Sequence, residues 1–297
     1  MDGLLLVVRG GGDLATGTVH RLWSAGFSVV VLETERPAAI RRQVSLCEAV
    51  YEGEVVVEGM KGVLVQKLED VLKVLERGEV PVLVDSRGES IGRLKPDVVI
   101  DGILAKKNLG THRGMAPLTI ALGPGFCAGE DVDVVIETKR GHNLGRVIWE
   151  GRAIPNTGIP GNIGGYTAQR VLRASETGVL KTIREIGDLV KQGEVIAGIQ
   201  TQGEEVLVKA SIDGIIRGLI RDGFPVTTGF KIVDIDPRQE ELENCFTISD
   251  KARCIGGSVL EVVCSYWKKK EGKGDRNESY QTGFLEKISV YWRRMHR

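Results

Sequence analysis

Apolar residues run without a break through Leu4-Leu5-Leu6-Val7-Val8 and give way, after Arg9, to the glycine triplet Gly10-Gly11-Gly12. A short apolar run closed by glycine predicts a strand buried on both faces that turns sharply at its end. The period then changes. Leu14, Val19, Leu22, Trp23 and Ala25 fall roughly on one face of a helix over 14–25, and Gly26 reads as its stop. A second apolar run, Ser28–Leu32, ends in Glu33. Strand, glycine turn, helix and strand in that order predict a βαβ unit.

The alternation of strand-like and helix-like segments continues to residue 102, as in a doubly wound α/β domain. Residues 38–49 read as helical, Val55–Val57 and Val63–Val65 as extended, and Leu68–Leu75 as an amphipathic helix closed by Gly78. Val82–Asp85 and Val98–Asp101 are buried-strand patterns that each end in an acid. Parallel strands align their carboxyl ends on one ligand-facing edge, so Asp85 and Asp101 join Gly10–Asp13 as neighbours of a site, or are ordinary strand-end acids.

From residue 103 to 174 glycine, proline and turn signals crowd together, with short strands expected at Leu118–Leu122, Val132–Glu137 and Arg146–Trp149. Residues 175–237 hold an internal repeat. Gly178, Ile183, Gly187, Val190, Gly193, Ile196 and Ile199 recur 36 positions later as Gly214, Leu219, Gly223, Val226, Gly229, Ile232 and Ile235. Glycines and apolar residues in register predict two similar hairpin-rich units facing one another. The pattern resembles the lipoyl/biotinyl barrel-sandwich. Carrier domains of that family bear a lysine on the hairpin between the halves, whereas here the connection Gln200–Glu205 has none. Lys209, on the following strand, is a poor substitute, so a scaffold or docking role is expected rather than a swinging arm.

Beyond Pro237, Gln239–Glu243 and Ser249–Cys264 read as helical, with Gly256-Gly257 interrupting, and Lys268–Lys273 as a basic linker. Phe284, Ile288, Tyr291, Trp292 and Met295 share one side of a last amphipathic helix, with Arg293 and Arg294 opposite. The expected organisation is therefore 1–102, a Rossmann-like nucleotide-binding domain; 103–174, a β-rich loop and hairpin region; 175–237, the barrel-sandwich; 238–267, a helical segment; and 268–297, linker and tail helix.

Candidate chemistry centres on the first turn. Gly10-x-Gly12-x-x-Ala15 matches the dinucleotide fingerprint: one glycine to turn, one to let a pyrophosphate approach the backbone, and a small residue for close helix packing. Gly11 and Asp13 complete the turn, and the helix start offers N–H groups to an anion. Glu33 stands 21 positions after Gly12, where an acid meets ribose hydroxyls, although Arg36 nearby blurs any preference against a 2′-phosphate. The bland alternative is a tight turn and an ordinary strand-end Glu. Between two glycine-rich turns, Lys139, Arg140, His142, Asn143 and Arg146 gather cationic and amide groups suited to a polyanion, or to a solvated hairpin tip. Asn156–Gly165 offers a similar choice. His112 and His142 sit in loops, and Cys127 sits in a glycine turn with no neighbouring base in sequence. The sequence contains no G-x-S-x-G, H-E-x-x-H, Walker A lysine or zinc-spaced Cys/His set, so the catalytic residues stay unknown and no metal site is expected.

Charge and cysteine usage narrow the setting. Lys+Arg and Asp+Glu are equal at 40 each, giving no overall field toward nucleic acid or membrane. That balance conceals nine Lys/Arg against four Asp/Glu from Lys268 onward. Five scattered cysteines form no CxxC and point to reduced thiols and a cytoplasmic protein. No signal peptide and no run long enough for a transmembrane helix is read from the sequence.

Val7–Gly17 (VVRGGGDLATG), Ser45–Gly53 (SLCEAVYEG), Leu122–Gly129 (LGPGFCAG) and Ile136–Ile148 (IETKRGHNLGRVI) together resemble the YqeB-type accessory proteins. The resemblance covers roughly residues 4–264. It implies a cytoplasmic factor for maturation of selenium-dependent molybdenum hydroxylases, with that hydroxylase or its cofactor-assembly machinery as partner. It also implies that neither Cys47 nor Cys127 is a required nucleophile or selenium carrier. Three readings follow: a cofactor-loading factor holding a nucleotide-type ligand such as a molybdopterin dinucleotide, an NAD-dependent oxidoreductase, and a non-enzymatic scaffold. A homo-oligomer is left open.

Overall fold

A computed structural model describes residues 4–156, 158, 161 and 163–271. The described residues up to Val262 form one compact unit, and those from Val263 a second. The tail helix expected at 284–295 and Thr157, Ile159, Pro160 and Asn162 of the Asn156–Gly165 loop lie outside the described residues.

The first unit opens with strand β1 (Leu5–Arg9), helix α1 (Asp13–Ser24) and strand β2 (Ser28–Glu33). Residues 38–49, expected as one helix, instead form two 3-10 turns, Arg42–Val44 and Leu46–Glu48, before the short α2 (Ala49–Glu52). Cys47 N–H donates to Gly11 O (2.9 Å) and Leu46 N–H to Thr16 Oγ1 (2.9 Å), which ties this stretch to the glycine turn instead of to its own i−4 carbonyls. Strands β3 (Glu54–Val57) and β4 (Met60–Val65), helix α3 (Val71–Glu76), strand β5 (Val80–Val84), helix α4 (Ile91–Leu94) and strand β6 (Val98–Asp101) follow.

The boundary expected at residue 102 is not a break in the sheet. Strands β7 (Leu118–Leu122) and β9 (Val134–Ile136) add on in parallel, β6 pairing Val98 with Leu118 and β7 pairing Ile120 with Val134. Between them β8 (Cys127–Ala128) pairs separately with β11 (Gly151–Arg152), and β10 (Val147–Ile148) is the antiparallel edge beside β9. The resulting sheet has the order β10-β9-β7-β6-β1-β2-β5-β4-β3. Its inner strands are parallel and almost wholly apolar because both faces are buried. Chain order reverses between β6 and β1, and such a switch point opens a crevice beyond the strand carboxyl ends.

Eight further strands make two four-stranded antiparallel sheets: β12 (Val171–Arg173), β13 (Gly178–Thr182), β14 (Leu189–Val190), β15 (Val195–Gln200), β16 (Glu205–Lys209), β17 (Gly214–Leu219), β18 (Pro225–Val226) and β19 (Lys231–Asp236). Their orders are β12-β19-β17-β14 and β16-β15-β13-β18, so the halves exchange strands: β14 joins the sheet of β17, and β18 that of β13. Gly178 and Gly214 explain why glycine repeats. A Cβ at Gly178 would strike Gln200 O, and one at Gly214 would strike Asp236 O, the equivalent carbonyl 36 positions on. Leu180, Val190, Ile196 and Ile199 interdigitate with their counterparts Ile216, Val226, Ile232 and Ile235 in one core.

Residues 40–52 fasten the two parts together. Leu219 N–H donates to Ile40 O (2.9 Å), and Arg42 Nε donates to Leu219 O (2.8 Å). Arg41 Nη2 donates to Asn244 O (2.7 Å) and Thr247 O (2.9 Å), while Arg221 pairs with Glu48 and Glu52.

Helix α5 (Asp250–Glu271) runs through Gly256-Gly257 without interruption and absorbs Lys268–Lys270, contrary to the expected break and linker. The glycines serve packing. A Cβ at Gly17 would come within 2.6 Å of Ala252 Cβ, and one at Gly256 within 2.7 Å of Gly17 O and 2.9 Å of Arg21 Cγ. Contacts advance along both helices together, so α1 and this part of α5 run parallel with backbones in near contact. That second partner is why Thr16, Gly17 and Thr18 are buried as well as the apolar face Ala15, Val19 and Leu22.

Candidate functional site: a cationic cleft at the strand ends

Each residue leaving a parallel strand at the switch point enters one cleft of about 850 Å³. Gly10 and Gly12 follow β1, Glu33 ends β2, Gly102–Leu104 follow β6, Pro124 follows β7, and Thr138 follows β9. The opposite wall comes from Arg170, Arg217, Lys231 and Asp234 of the repeat sheets, and Ser249 and Lys251 bring the start of α5. Among the described lining residues nine are Lys or Arg and three are Asp or Glu, so the cleft is cationic in a chain that is neutral overall. A depression of about 810 Å³ continues from it, sharing Lys106, Pro124, Ile154, Pro155 and Asn156.

The three turn positions divide the work. Gly10 takes φ +93°, the left-handed region that makes the turn, and lies against Ile103. A Cβ at Gly12 would meet nothing within 4 Å, so the backbone there is open to a ligand. Gly11 is the reverse: a Cβ would come within 2.9 Å of Cys47 N, and protein already fills that side. Ala15 packs where Gly102 has no side chain, a Cβ on Gly102 falling 2.8 Å from Ala15 Cβ.

Glu33 does not present a free carboxylate. Its Oε2 accepts from Gly11 N–H (2.7 Å) and its Oε1 from Thr34 N–H (2.7 Å). Burial pushes its carboxyl above the ordinary value against the pull of those two bonds. The acid thus braces the turn. Asp13 lies 3.6 Å from Arg41 Nη1, and Asp234 is taken up by Arg170 and by Lys231 at 3.8 Å. All three lining acids are therefore engaged with protein groups.

The loop expected to supply a cationic cluster is divided. Lys139 and Arg140 line the cleft, but Asn143 and Arg146 line a separate pocket of about 340 Å³ with Trp149, and His142 is exposed and lines neither. The cause is the turn's own bonding: Glu137 N–H donates to Arg146 O (2.9 Å) and Gly145 N–H to Glu137 O (2.9 Å), which folds 141–146 back. Arg140 is committed to Asp250 through two bonds of 2.5 and 3.0 Å, which hold the Asp250 carboxyl down at about 2. Lys139 and Lys251 have no such partner among the described residues, and burial lowers the Lys251 ammonium below its usual value.

Asp85 and Asp101 serve structure. Asp85 accepts from the N–H groups of Gly88, Glu89 and Ser90. Asp101 accepts from Thr111 Oγ1 (2.6 Å), which in turn accepts from the buried Arg9 (2.5 Å). His112 Nδ1 accepts from Gly114 N–H (3.1 Å). Cys47 lines the cleft but is 1% exposed, and burial raises its thiol well above the ordinary value; Cys127 is also buried and raised. Low thiolate content and little access make both poor nucleophiles.

Sequence reasoning missed Lys106, Arg41, Arg170, Arg217, Lys231 and Lys251. Leu104 and Lys106 hold left-handed backbone at φ +60° and +56° in the loop after β6, strain of roughly 1 kcal/mol or more each that collects at ligand-facing loops. The two parallel helices matter most. Both α1 and α5 begin at the cleft, so two positive dipole ends converge where nine cations already stand, an arrangement that an anion relieves.

Searching known family models gave no match. The chain is 52% identical over 260 residues to the uncharacterized protein YqeB of Escherichia coli K12, covering 87% of this chain and 47% of that protein. It therefore spans about half the length of the curated relative it matches, and the identity supports a YqeB-type protein over that stretch. Among solved structures, an aspartoacylase family protein from Mesorhizobium loti aligns at TM-score 0.26 and 10% identity, covering 79% of this chain and 85% of that one. The product-bound ectoine utilization protein EutE (DoeB) from Ruegeria pomeroyi aligns at TM-score 0.25 and 11% identity, covering 78% and 85%. Scores of that size carry no weight for fold or function. Among the described residues no helix is long and apolar enough to cross a membrane.

Proposed function

We propose that this chain is a maturation factor that grips a phosphate-bearing, nucleotide-type ligand, a molybdopterin dinucleotide, on behalf of a selenium-dependent molybdenum hydroxylase. In this reading the strands around Gly10–Asp13 are a Rossmann-like unit, and the paired repeat sheets are a lipoyl/biotinyl-like barrel-sandwich used as a wall of the site. The observation that carries it is the cleft: two helix N-termini, an open backbone at Gly12 and an excess of six cations meet at the switch point of a parallel sheet. The hydroxylase as recipient comes from the similarity to YqeB-type proteins.

A polyanionic cofactor fits these residues. The N–H groups at Gly12–Leu14 would hold one phosphate, and Lys106, Lys139 and Lys251 would screen the others. The metal chemistry of such a cofactor belongs to the enzyme that receives it. This chain's own groups bind and orient, since Asp13, Glu33 and Asp234 are engaged with protein partners and Cys47 is buried. That engagement favours a grip over an oxidoreductase, whose ribose-binding acid would need a free edge.

Thermal-shift measurement of the whole chain with CMP, CDP, NAD and a molybdopterin dinucleotide tests the reading. Stabilisation by the cytidine or molybdopterin ligands is expected, lost in Gly12→Val. The backbone at Gly12 (φ −67°) accommodates valine, so the free variant should lose only about 1 kcal/mol of stability as a poorer helix cap. Absence of any shift at millimolar nucleotide would defeat the proposal.

A further inference from the structure

The repeat sets an expectation for every strand register, and one position departs from it. In the first half β13 pairs with β15 without a slip, Leu180 opposite Ile199 and Lys181 opposite Gly198. In the second half Ile216 faces Ile235, but the next pairing is Gly218 with Asp234, so Arg217 is an extra residue in β17. The slip is not a general feature of the fold. Another irregularity occurs at equivalent places in both halves, between Val195 and Ala197 against β16 and between Leu172 and Arg173 against β19. Arg217 alone is added to one half, and it is the half whose strand borders the cleft. A bulge re-aims a side chain at the expense of regular pairing, and bulges gather beside binding sites.

Arg217 arrives beside a second arginine. Both line the cleft, and in both the Nε is buried with no hydrogen-bond partner. Arg41 is only 7% exposed; its Nη2 is held by Asn244 and Thr247 carbonyls, which fixes the plane of the guanidinium and leaves Nε unanswered. Two like charges desolvated together destabilise one another, and the nearby carboxylates offset this only in part: Asp13 stands 3.6 Å from Arg41 Nη1, while Asp234 is bonded to Arg170 and Asp236 to Arg238. Buried donors without acceptors are costly; Arg221 Nε is a third such donor away from the cleft, but Arg41 and Arg217 are the two whose side chains line it together.

We infer that Arg41 and Arg217 form a seat for a phosphoryl oxyanion, separate from the glycine turn, by which the repeat sheets bind the second anionic end of the ligand. The inference rests on the functional reading above for the ligand's class, and on the bulge and the orphan donors for its place. It also gives the lysine-free barrel a role: it offers a fixed arginine into the cleft in place of a swinging lysine.

Isothermal titration of the full chain with inorganic pyrophosphate, compared with Arg217→Gln, Arg217→Lys and Lys181→Gln, tests it. Pyrophosphate should bind wild type. Arg217→Gln should bind about tenfold more weakly or worse, as loss of a charge-assisted fork implies, and Arg217→Lys should recover only part. Lys181→Gln, the repeat equivalent outside the cleft, should match wild type. The free Arg217→Gln protein should melt at the same temperature as wild type or higher, because repulsion with Arg41 is removed; a merely structural Arg217 would lower it. Equal pyrophosphate affinity in Arg217→Gln, or none in wild type, overturns the seat. Binding of CDP or the dinucleotide unchanged by Arg217→Gln overturns it too while leaving the functional reading standing. Pyrophosphate binding through Arg217 with no nucleotide binding does the opposite.

Discussion

The two halves of the repeat share glycines, register and core positions, yet they face different surroundings. Ile183 is 59% exposed, whereas its counterpart Leu219 is fully buried where Ile40 and Arg42 bond its backbone. Val179 is 38% exposed, and its counterpart Ile215 only 1%. The first half keeps the symmetric plan with an open apolar face; the second has been fitted to the parallel-sheet part, gaining Gly218 against Ile40 and the extra Arg217. The comparison teaches that repetition explains how these strands fold, while departures from repetition show where they meet the rest of the chain.

The sharpest way to break that contrast is to cut the same apolar group from both halves. Leu219→Ala should lose about 2–5 kcal/mol in urea unfolding, as a buried leucine does, and Ile183→Ala no more than about 0.5 kcal/mol. Equal losses would mean that the first half is covered in solution. The shared plan is tested next: Gly178→Ala and Gly214→Ala each drive a Cβ into a backbone carbonyl and should each cost about 1–3 kcal/mol, matching one another within error. Unequal costs would show that the equivalence is one of sequence only.

The smallest effect concerns the cleft rim beside the second half, where Arg140 holds Asp250. A carboxyl depressed to about 2 stabilises the folded state above the ordinary aspartate value near about 3.9, and that contribution disappears as pH falls through about 2. Because both side chains are well exposed, Asp250→Asn should cost less than about 1 kcal/mol at pH 7. The difference from wild type should close as pH approaches 2 in denaturant titrations. A difference that does not shrink would assign the effect to helix capping instead of the ion pair.

These contrasts also show what was legible in the chain. The strand at 5–9, the open Gly12 and the glycine repeat could be read because each depends on a local constraint: an unbroken apolar run, a backbone that must stay bare, a carbonyl that forbids a Cβ. Glu33 was legible as the acid that ends the second strand, placed for ribose hydroxyls, but not in its orientation, which is decided by the Gly11 and Thr34 N–H groups. Lys139 and Arg146 looked alike in sequence, and only the hairpin bonding of 137–146 separates them. Arg41, Arg217 and Lys251 lie far apart along the chain and carried no shared spacing. The one available signal was Gly218, a glycine within a strand pattern where the other half has Thr182, which marks a bulge or a close approach.

Arg41 reaches Asn244 across 203 positions of sequence. Closing a loop of that length carries on the order of 5 kcal/mol of chain entropy, so pairings of this kind form late and slow the approach to the native state. A chain arrested before that closure can already pair β1 with β2 and brace the glycine turn with Glu33, contacts about twenty positions apart in sequence, but it has no paired arginines facing them. Under the two-point grip proposed above, tight ligand binding would then be a certificate of complete folding, since only a molecule whose early and late segments have met would hold both ends of the ligand.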